Sequence, residues 1–279
     1  MRIIEAAALT ETVKNLFIRA NRELPPDVRD CIRACRERET WAPARETLDR
    51  IIENFELAEK NSIPICQDTG MACVFLEIGA GAAVNGDISE AVNEGVRRAC
   101  REAYLRASVV KDPLRRENTG DNSPALLYID MVEGEGLGVT VAPKGFGSEN
   151  MSRIKMLSPS DGIEGLKAFV VSAVEQAGPN PCPPIVVGVG IGGSFDRAAL
   201  LAKKALLRPL GKPHIDPFYG ELEAELLEKI NALGIGPQGF GGRTTALSLA
   251  IETMPTHIAA LPCAVNINCH VSRHAREEL

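Results

Sequence analysis

The most informative features of this chain are first its absences. No run of about 18 or more apolar residues occurs, so nothing reads as a membrane span. There is no excess of positive charge. With 31 Lys and Arg against 37 Asp and Glu, the net charge of −6 sets up no global field for nucleic acid or an anionic membrane. An anionic ligand would have to be met by local arginines and lysines. The opening residues, MRIIEAAALTETVKNLFIRANREL, are amphipathic but acidic early and lack a continuous apolar centre. They do not read as a signal or transit peptide, and the expected location is the cytoplasm. No internal repeat or low-complexity linker is present. No cysteine pair has zinc-ribbon spacing. No segment is starved of apolar residues as a disordered tail would be: the chain is 45% hydrophobic and 24% charged.

What is present fits a mixed α/β fold. The 279 residues suffice for a sizeable core. The expectation is a single domain over 1–279, with a helical N-terminal part (1–60) and a mixed-sheet core (61–279) carrying long Gly/Pro-rich loops. Helical spacing of Val13, Leu16, Phe17 and Ala20 predicts a helix over 11–23, with Thr10 as its cap. Two more helices are predicted over 26–38 and 42–60. Strands are expected at 72–78, 124–132, 137–142, 184–190 and 265–267. Further helices are expected at 88–105, 161–177, 197–207 and 219–233. The run 246–254 fits strand or helix.

Eight cysteines lie at positions 31, 35, 66, 73, 100, 182, 263 and 269. Without an export signal they read as packing residues, metal ligands or catalysts, not as a disulfide framework. Cys31 and Cys35 share one helix face. They and Cys100 read as packing or surface residues, and Cys73 starts a strand. Cys66, Cys182 and Cys269 have the most loop-like settings, with Cys263 a rival to Cys269. A dispersed triple of this kind is not diagnostic by spacing.

Each remaining motif has two readings. Cys66-Gln67-Asp68-Thr69-Gly70 is either a functional loop or a capped turn with an incidental thiol. The stretch Arg106 to Pro124 is either a carboxylate-gripping loop, using the guanidinium fork, or a solvated surface loop. Gly145-Phe146-Gly147 follows a strand and could offer backbone N–H groups to an anion, but it is not a P-loop. Cys182 sits among four prolines, which make either a rigid ligand-bearing loop or a stiff linker. His257 follows a Pro-containing turn. Gly188-Val189-Gly190-Ile191-Gly192-Gly193 fits the dinucleotide fingerprint, yet the stretch that should hold the second strand, Pro209 to Pro217, has three prolines and no apolar run. A tight strand-to-helix turn bringing backbone close to a ligand is the better reading of these glycines.

Taken together and in order, CQDTG (66–70), YLRASVVKDPLRRENTGDNSPA (104–125), APKGFGSEN (142–150), PNPCPPIVVGVGIGG (179–193), GIGPQGFGGRTTAL (234–247) and PTHIAALPCAVNINCHVSRH (255–274) resemble the class I fumarate hydratase and L-tartrate dehydratase family of iron–sulfur hydro-lyases, in its alpha region. The resemblance implies a [4Fe–4S] cluster on Cys66, Cys182 and Cys269, the last chosen over Cys263 because the family places its ligand directly before the residue matching His270. It implies a substrate pocket lined by Gln67, Asp68, Arg106 and His257, with Asp68 and His257 managing protons, and a backbone contact from Gly145, Phe146 and Gly147. Phe146 stands where many relatives have glycine. It also implies that the rest of the active site comes from a separate beta subunit, in an α2β2 assembly. Three thiolates leave one cluster iron open as a Lewis acid for the substrate hydroxyl. The expected reaction is the reversible hydration of fumarate to malate, the alternative being tartrate to oxaloacetate. A different class, an iron–sulfur electron carrier or sensor, would need a fourth ligand. No nucleic acid or membrane partner is expected.

Overall fold

In chain order the elements are β1 (Arg2–Glu5), α1 (Ala6–Arg22), α2 (Pro26–Arg38), α3 (Ala42–Asn61), β2 (Met71–Gly79), β3 (Ala82–Asn85), α4 (Ile88–Glu102), β4 (Leu126–Val132), β5 (Leu137–Lys144), α5 (Phe146–Glu149), β6 (Arg153–Leu157), α6 (Gly162–Ala177), β7 (Ile185–Gly193), α7 (Phe195–Ala205), α8 (Pro217–Ala232), β8 (Ala246–Thr256), β9 (Leu261–Asn268) and β10 (Ala275–Glu278). This computed structural model describes residues 1–279. The fold is mixed α/β, with three helices dominating its first 60 residues. No helix is long and apolar enough to cross a membrane. Packing groups the chain into two compact units, one of 1–25, 54–146 and 273–279, the other of 26–53 and 147–272.

The first unit is built on a four-stranded sheet in the order β10-β5-β2-β4, with β2 parallel to β4 and antiparallel to β5. Leu9, Val13, Leu16, Phe17 and Ala20 recur at helical spacing on α1 and are all buried, packed with Val92, Val96 and Ala99 of α4 and with Ala72, Val74 and Leu76 of β2. Each of the buried Leu, Val and Phe side chains contributes on the order of 1.5–3 kcal/mol. Gly95 lets α1 and α4 meet closely, since a Cβ there would lie 2.7 Å from the Thr10 carbonyl. The helix starts four residues before Thr10, so Thr10 is not its cap. Its hydroxyl instead donates to Ala6 O within α1 and to Ala91 O across to α4, at 3.1 and 3.0 Å. The short strands β1 and β3 pair parallel to one another, and β10 pairs with β5. Neither β1, β3 nor β10 carries a periodic signal long enough to read from sequence.

The second unit contains the sheet β6-β9-β7-β8. The parallel pairing of β8 with β7 makes 246–256 a strand. Along β7, alternate residues face opposite ways. Ile185, Val187, Val189 and Ile191 pack with Val170 of α6 and Leu222, Leu226 and Ile230 of α8. Gly188 and Gly190 face α7, where an added Cβ would stand 2.1 Å from the carbonyl oxygens of Ala202 and Ala198 respectively. Gly192, at φ +92°, would place a Cβ 1.9 Å from the Met254 carbonyl. The glycine pattern therefore serves close packing of a helix and a neighbouring strand.

Within the first half of α8, the buried Glu223 forms an ion pair with Arg208. The carboxylate also accepts from the amides of Ile251 (2.7 Å) and His214 (2.9 Å). A Gly190→Ala substitution should destabilise the protein by about 1–3 kcal/mol or more, because backbone and not a flexible side chain must yield. The midpoint of urea unfolding tests this, and an unchanged midpoint would mean that α7 does not lie this close to β7.

Candidate functional site

Within the first unit, the Cys66–Gly70 loop is held from several sides. Its entry is fixed by the Ile65 amide donating to Asn21 O (2.9 Å) and by Asn54 Nδ2 donating to Ile65 O (3.0 Å). The Asp68 carboxylate then reaches in two directions. Oδ1 accepts from the Gly70 amide and Oδ2 from the Phe146 amide, both at 2.9 Å. These bonds tie the loop to the Gly145-Phe146 turn. Gly70 must adopt φ +72°, and a Cβ on it would lie 2.5 Å from Lys144 O. Arg273, buried, donates to the carbonyls of both Asp68 and Thr69. The Cys66 Sγ, half-buried, accepts from the Asp68 amide at 3.4 Å.

Arg106 is brought to the same place. Its guanidinium stands 3.9 Å from Asp68 Oδ1 with the arginine side chain 61% exposed, a pair worth little as a tether and free to bind something else. Its backbone is less free: Arg106 O accepts from Thr69 Oγ1 (2.8 Å) and Asn122 Nδ2 (2.9 Å). Asn122, fully buried at φ +59°, also takes the Ser108 amide on Oδ1 at 2.5 Å. The segment 106–122 is thus an ordered loop closed by a Val110–Asn118 bridge, not a floppy surface stretch. Gln67 is exposed beside it. So Cys66, Asp68, Arg106, Gly145 and Phe146 form one neighbourhood. Arg273, Thr69 and Asn122, which hold it, were not singled out, although all three lie within the motif-bearing stretches.

In the second unit, Cys182 is exposed and adopts φ +55°, a conformation rare for residues other than glycine. Its carbonyl faces His270 Nδ1 at 3.0 Å. The same nitrogen lies 3.3 Å from Gln238 Nε2, and the shorter contact, to an oxygen that can only accept, places the ring proton on Nδ1. Burial holds this imidazole below its ordinary pKa, against the opposing effect of that bond. Cys269, directly before it, is half-buried at the end of β9. The next carbonyl, Pro183 O, accepts from the backbone and side-chain nitrogens of Gln238, at 2.7 and 2.8 Å. Gly147 is exposed, with open space where a Cβ would be. His257 makes none of these contacts. It is exposed in the β8–β9 turn, where its Nδ1 accepts from the Ala259 amide at 3.2 Å.

The remaining cysteines separate by burial. Cys263 is fully buried on β9, which pushes its thiol up to about 12. Cys35, Cys73 and Cys100 are also buried. None of the eight forms a disulfide, and no three His, Cys, Asp or Glu side chains are gathered around a point where a single metal ion would sit.

A family model described as Fumarate hydratase (Fumerase) matches residues 10–278. The chain belongs to the class I fumarate hydratase family. It is 46% identical over 276 residues, covering 96% of each chain, to a Methanocaldococcus jannaschii protein provisionally named L(+)-tartrate dehydratase subunit alpha. It is 33% identical over 268 residues, 95% of this chain and 88% of the relative, to the L(+)-tartrate dehydratase subunit alpha of Escherichia coli strain K12. The protein of that name from Shigella boydii matches to the same extent. These relatives are named dehydratases, which are lyases. Membership of this hydro-lyase family accounts for the ordered motifs jointly, where none alone is specific.

The buried Asn122 carboxamide gives this neighbourhood a direct test. Asn122→Ala should cost about 1–3 kcal/mol, by leaving the Ser108 amide and Arg106 carbonyl short of partners. Hydrogen exchange should rise first at Ser108, and exchange there equal to wild type would show that the loop is held by other contacts.

Proposed function

We propose that this chain is the alpha subunit of a two-subunit hydro-lyase that hydrates fumarate to malate, with Cys66, Cys182 and Cys269 holding a [4Fe–4S] cluster. The observation that carries the reading is the family match over residues 10–278. The chemistry of the donors is compatible with it. The three thiols lie in loops or at a strand end, none fully buried and none in a disulfide. An N–H donor beside a cysteine sulfur, as at Cys66, stabilises a thiolate. The lack of a single-ion site bears on zinc or mononuclear iron, whose ligands crowd one point, and not on a four-iron cluster, whose thiolates are spread around a larger body.

When bound, a cluster with three protein thiolates supplies an iron with an open position, a Lewis acid for the substrate hydroxyl. The chain's own residues do the rest. Arg106 grips one substrate carboxylate through its fork, assisted by Gln67. A second anionic group is met by the amides of Gly145 to Gly147. Since the Phe146 amide is held by Asp68 Oδ2, substrate arriving there displaces the carboxylate and frees it for proton transfer. Asp68 and His257 handle protons at the hydroxyl. The group that exchanges the C3 proton, giving it in hydration and taking it in the reverse dehydration, comes from a beta subunit, consistent with relatives named as alpha subunits. The assembly is α2β2 and cytoplasmic.

The relatives' names favour a second reading, dehydration of tartrate to oxaloacetate, which differs from the first by one substrate hydroxyl. A carrier or sensor would need a fourth thiolate, and Cys263, the nearest in sequence to Cys269, is sealed inside the sheet with its thiol pushed up to about 12.

Anaerobic co-expression with the beta subunit, assayed on fumarate, malate and tartrate side by side, decides between the substrates. Activity from this chain alone would contradict the shared site. Cys182→Ser should yield a colourless, inactive protein, whereas a brown and active one would rule out the ligand assignment. Asp68→Asn should lower turnover by roughly 100-fold or more while leaving iron content near wild type. Equal loss of both would make Asp68 structural.

A further inference from the structure

We infer that Gln238 is a positioning residue for Cys182, holding its thiol in a left-handed backbone conformation that the chain would not otherwise keep. The inference rests on the reading of Cys182 as a cluster ligand. Two non-glycine residues in this region sit at positive φ, Cys182 at 55° and Gln238 at 53°. Each such residue is strained, and it persists only where its surroundings over-determine it. Here the two strained segments hold one another. Gln238 donates twice to a single acceptor, Pro183 O, from its backbone N (2.7 Å) and its Nε2 (2.8 Å). His270 reaches the preceding carbonyl, Cys182 O, from Nδ1 at 3.0 Å. The Cys182 amide closes back on Pro179 O at 3.1 Å.

The glycines around Gln238 make this approach possible. At Gly239, φ +83°, a Cβ would lie 2.5 Å from Pro179 Cβ, and at Gly236, φ +70°, one would lie 1.7 Å from Gly241 O. The GIGPQGFGG stretch therefore folds tightly against the Pro179–Pro184 loop and delivers one carboxamide to it. Cys182 is left exposed at the apex. Groups that orient a metal ligand without touching the metal typically change its affinity 10–100-fold when removed.

Three variants of the full chain separate the side-chain donor from the backbone. Gln238→Glu keeps the size but cannot donate from its ionised carboxylate. Gln238→Ala removes the amide. Gln238→Gly removes the amide and also relieves the positive φ. After anaerobic loading with iron and sulfide, all three should lose cluster absorbance to an iron chelator roughly tenfold faster than wild type, with Tm of the chain little changed. Retention by Gln238→Gly at the wild-type rate, or bleaching that only tracks a fall in Tm, would overturn the inference. If the wild-type chain takes up no cluster, the ligand reading fails by itself, and hydrogen exchange then decides the positioning. Faster exchange at the Cys182 and His270 amides in Gln238→Glu supports it, and unchanged exchange there overturns it.

Discussion

Backbone in a buried or half-buried loop has no helix or sheet to take up its N–H and C=O groups, and those groups must find partners. In this protein, polar side chains supply them. Asp68 takes two amides, Asn122 takes an amide and gives to a carbonyl, and Arg273 gives to two carbonyls. In the second unit the buried Glu39 accepts from the amides of Thr40, Trp41 and Arg243, fixing one end of the glycine-rich segment that carries Gln238 at its centre. Each of these side chains could be mistaken for a catalytic or solvated group when read alone. Their common task is to let loops keep shapes that regular structure cannot provide.

That task and chemistry are compatible at Asp68. In the proposed mechanism, a carboxylate that is already placed by two amides has lost its rotamer freedom, and needs little reorganisation when an anionic substrate takes one of those amides from it. The neighbouring Arg106 shows the complementary arrangement. Its backbone is pinned by Thr69 and Asn122 while its guanidinium is left exposed and only loosely paired. Rigid backbone beneath a free charged end is what a carboxylate-binding arginine requires.

Much of the fold was legible because its longer elements carry strong periodic signals. The spacing of Val13, Leu16, Phe17 and Ala20 marked α1, and the apolar run ACVFLEI marked β2. The short strands were not legible. RIIE, AAVN, RIKML and AREE carry no alternation long enough to stand out, and each is a strand only because a neighbouring segment pairs with it. Thr10 misled for a similar reason: a hydroxyl near a helix start looks like a cap until a second helix passes close enough to accept its proton.

The sequence by itself determined the family, through six motifs in fixed order, and picked out Cys66, Cys182 and Cys269 through that resemblance. Local chemistry was enough there, because residue type and order survive without coordinates. Tertiary structure decided the rest. It showed that the GxGxxG glycines make room for α7 and Met254, because only packing reveals what a missing Cβ avoids. It placed Cys263 inside the sheet and Cys182 outside it, a difference of burial that two cysteines in similar Pro-containing stretches do not disclose. It also revealed Gln238, whose role depends on a carbonyl 55 residues away in the chain and on a backbone angle that no spacing rule encodes.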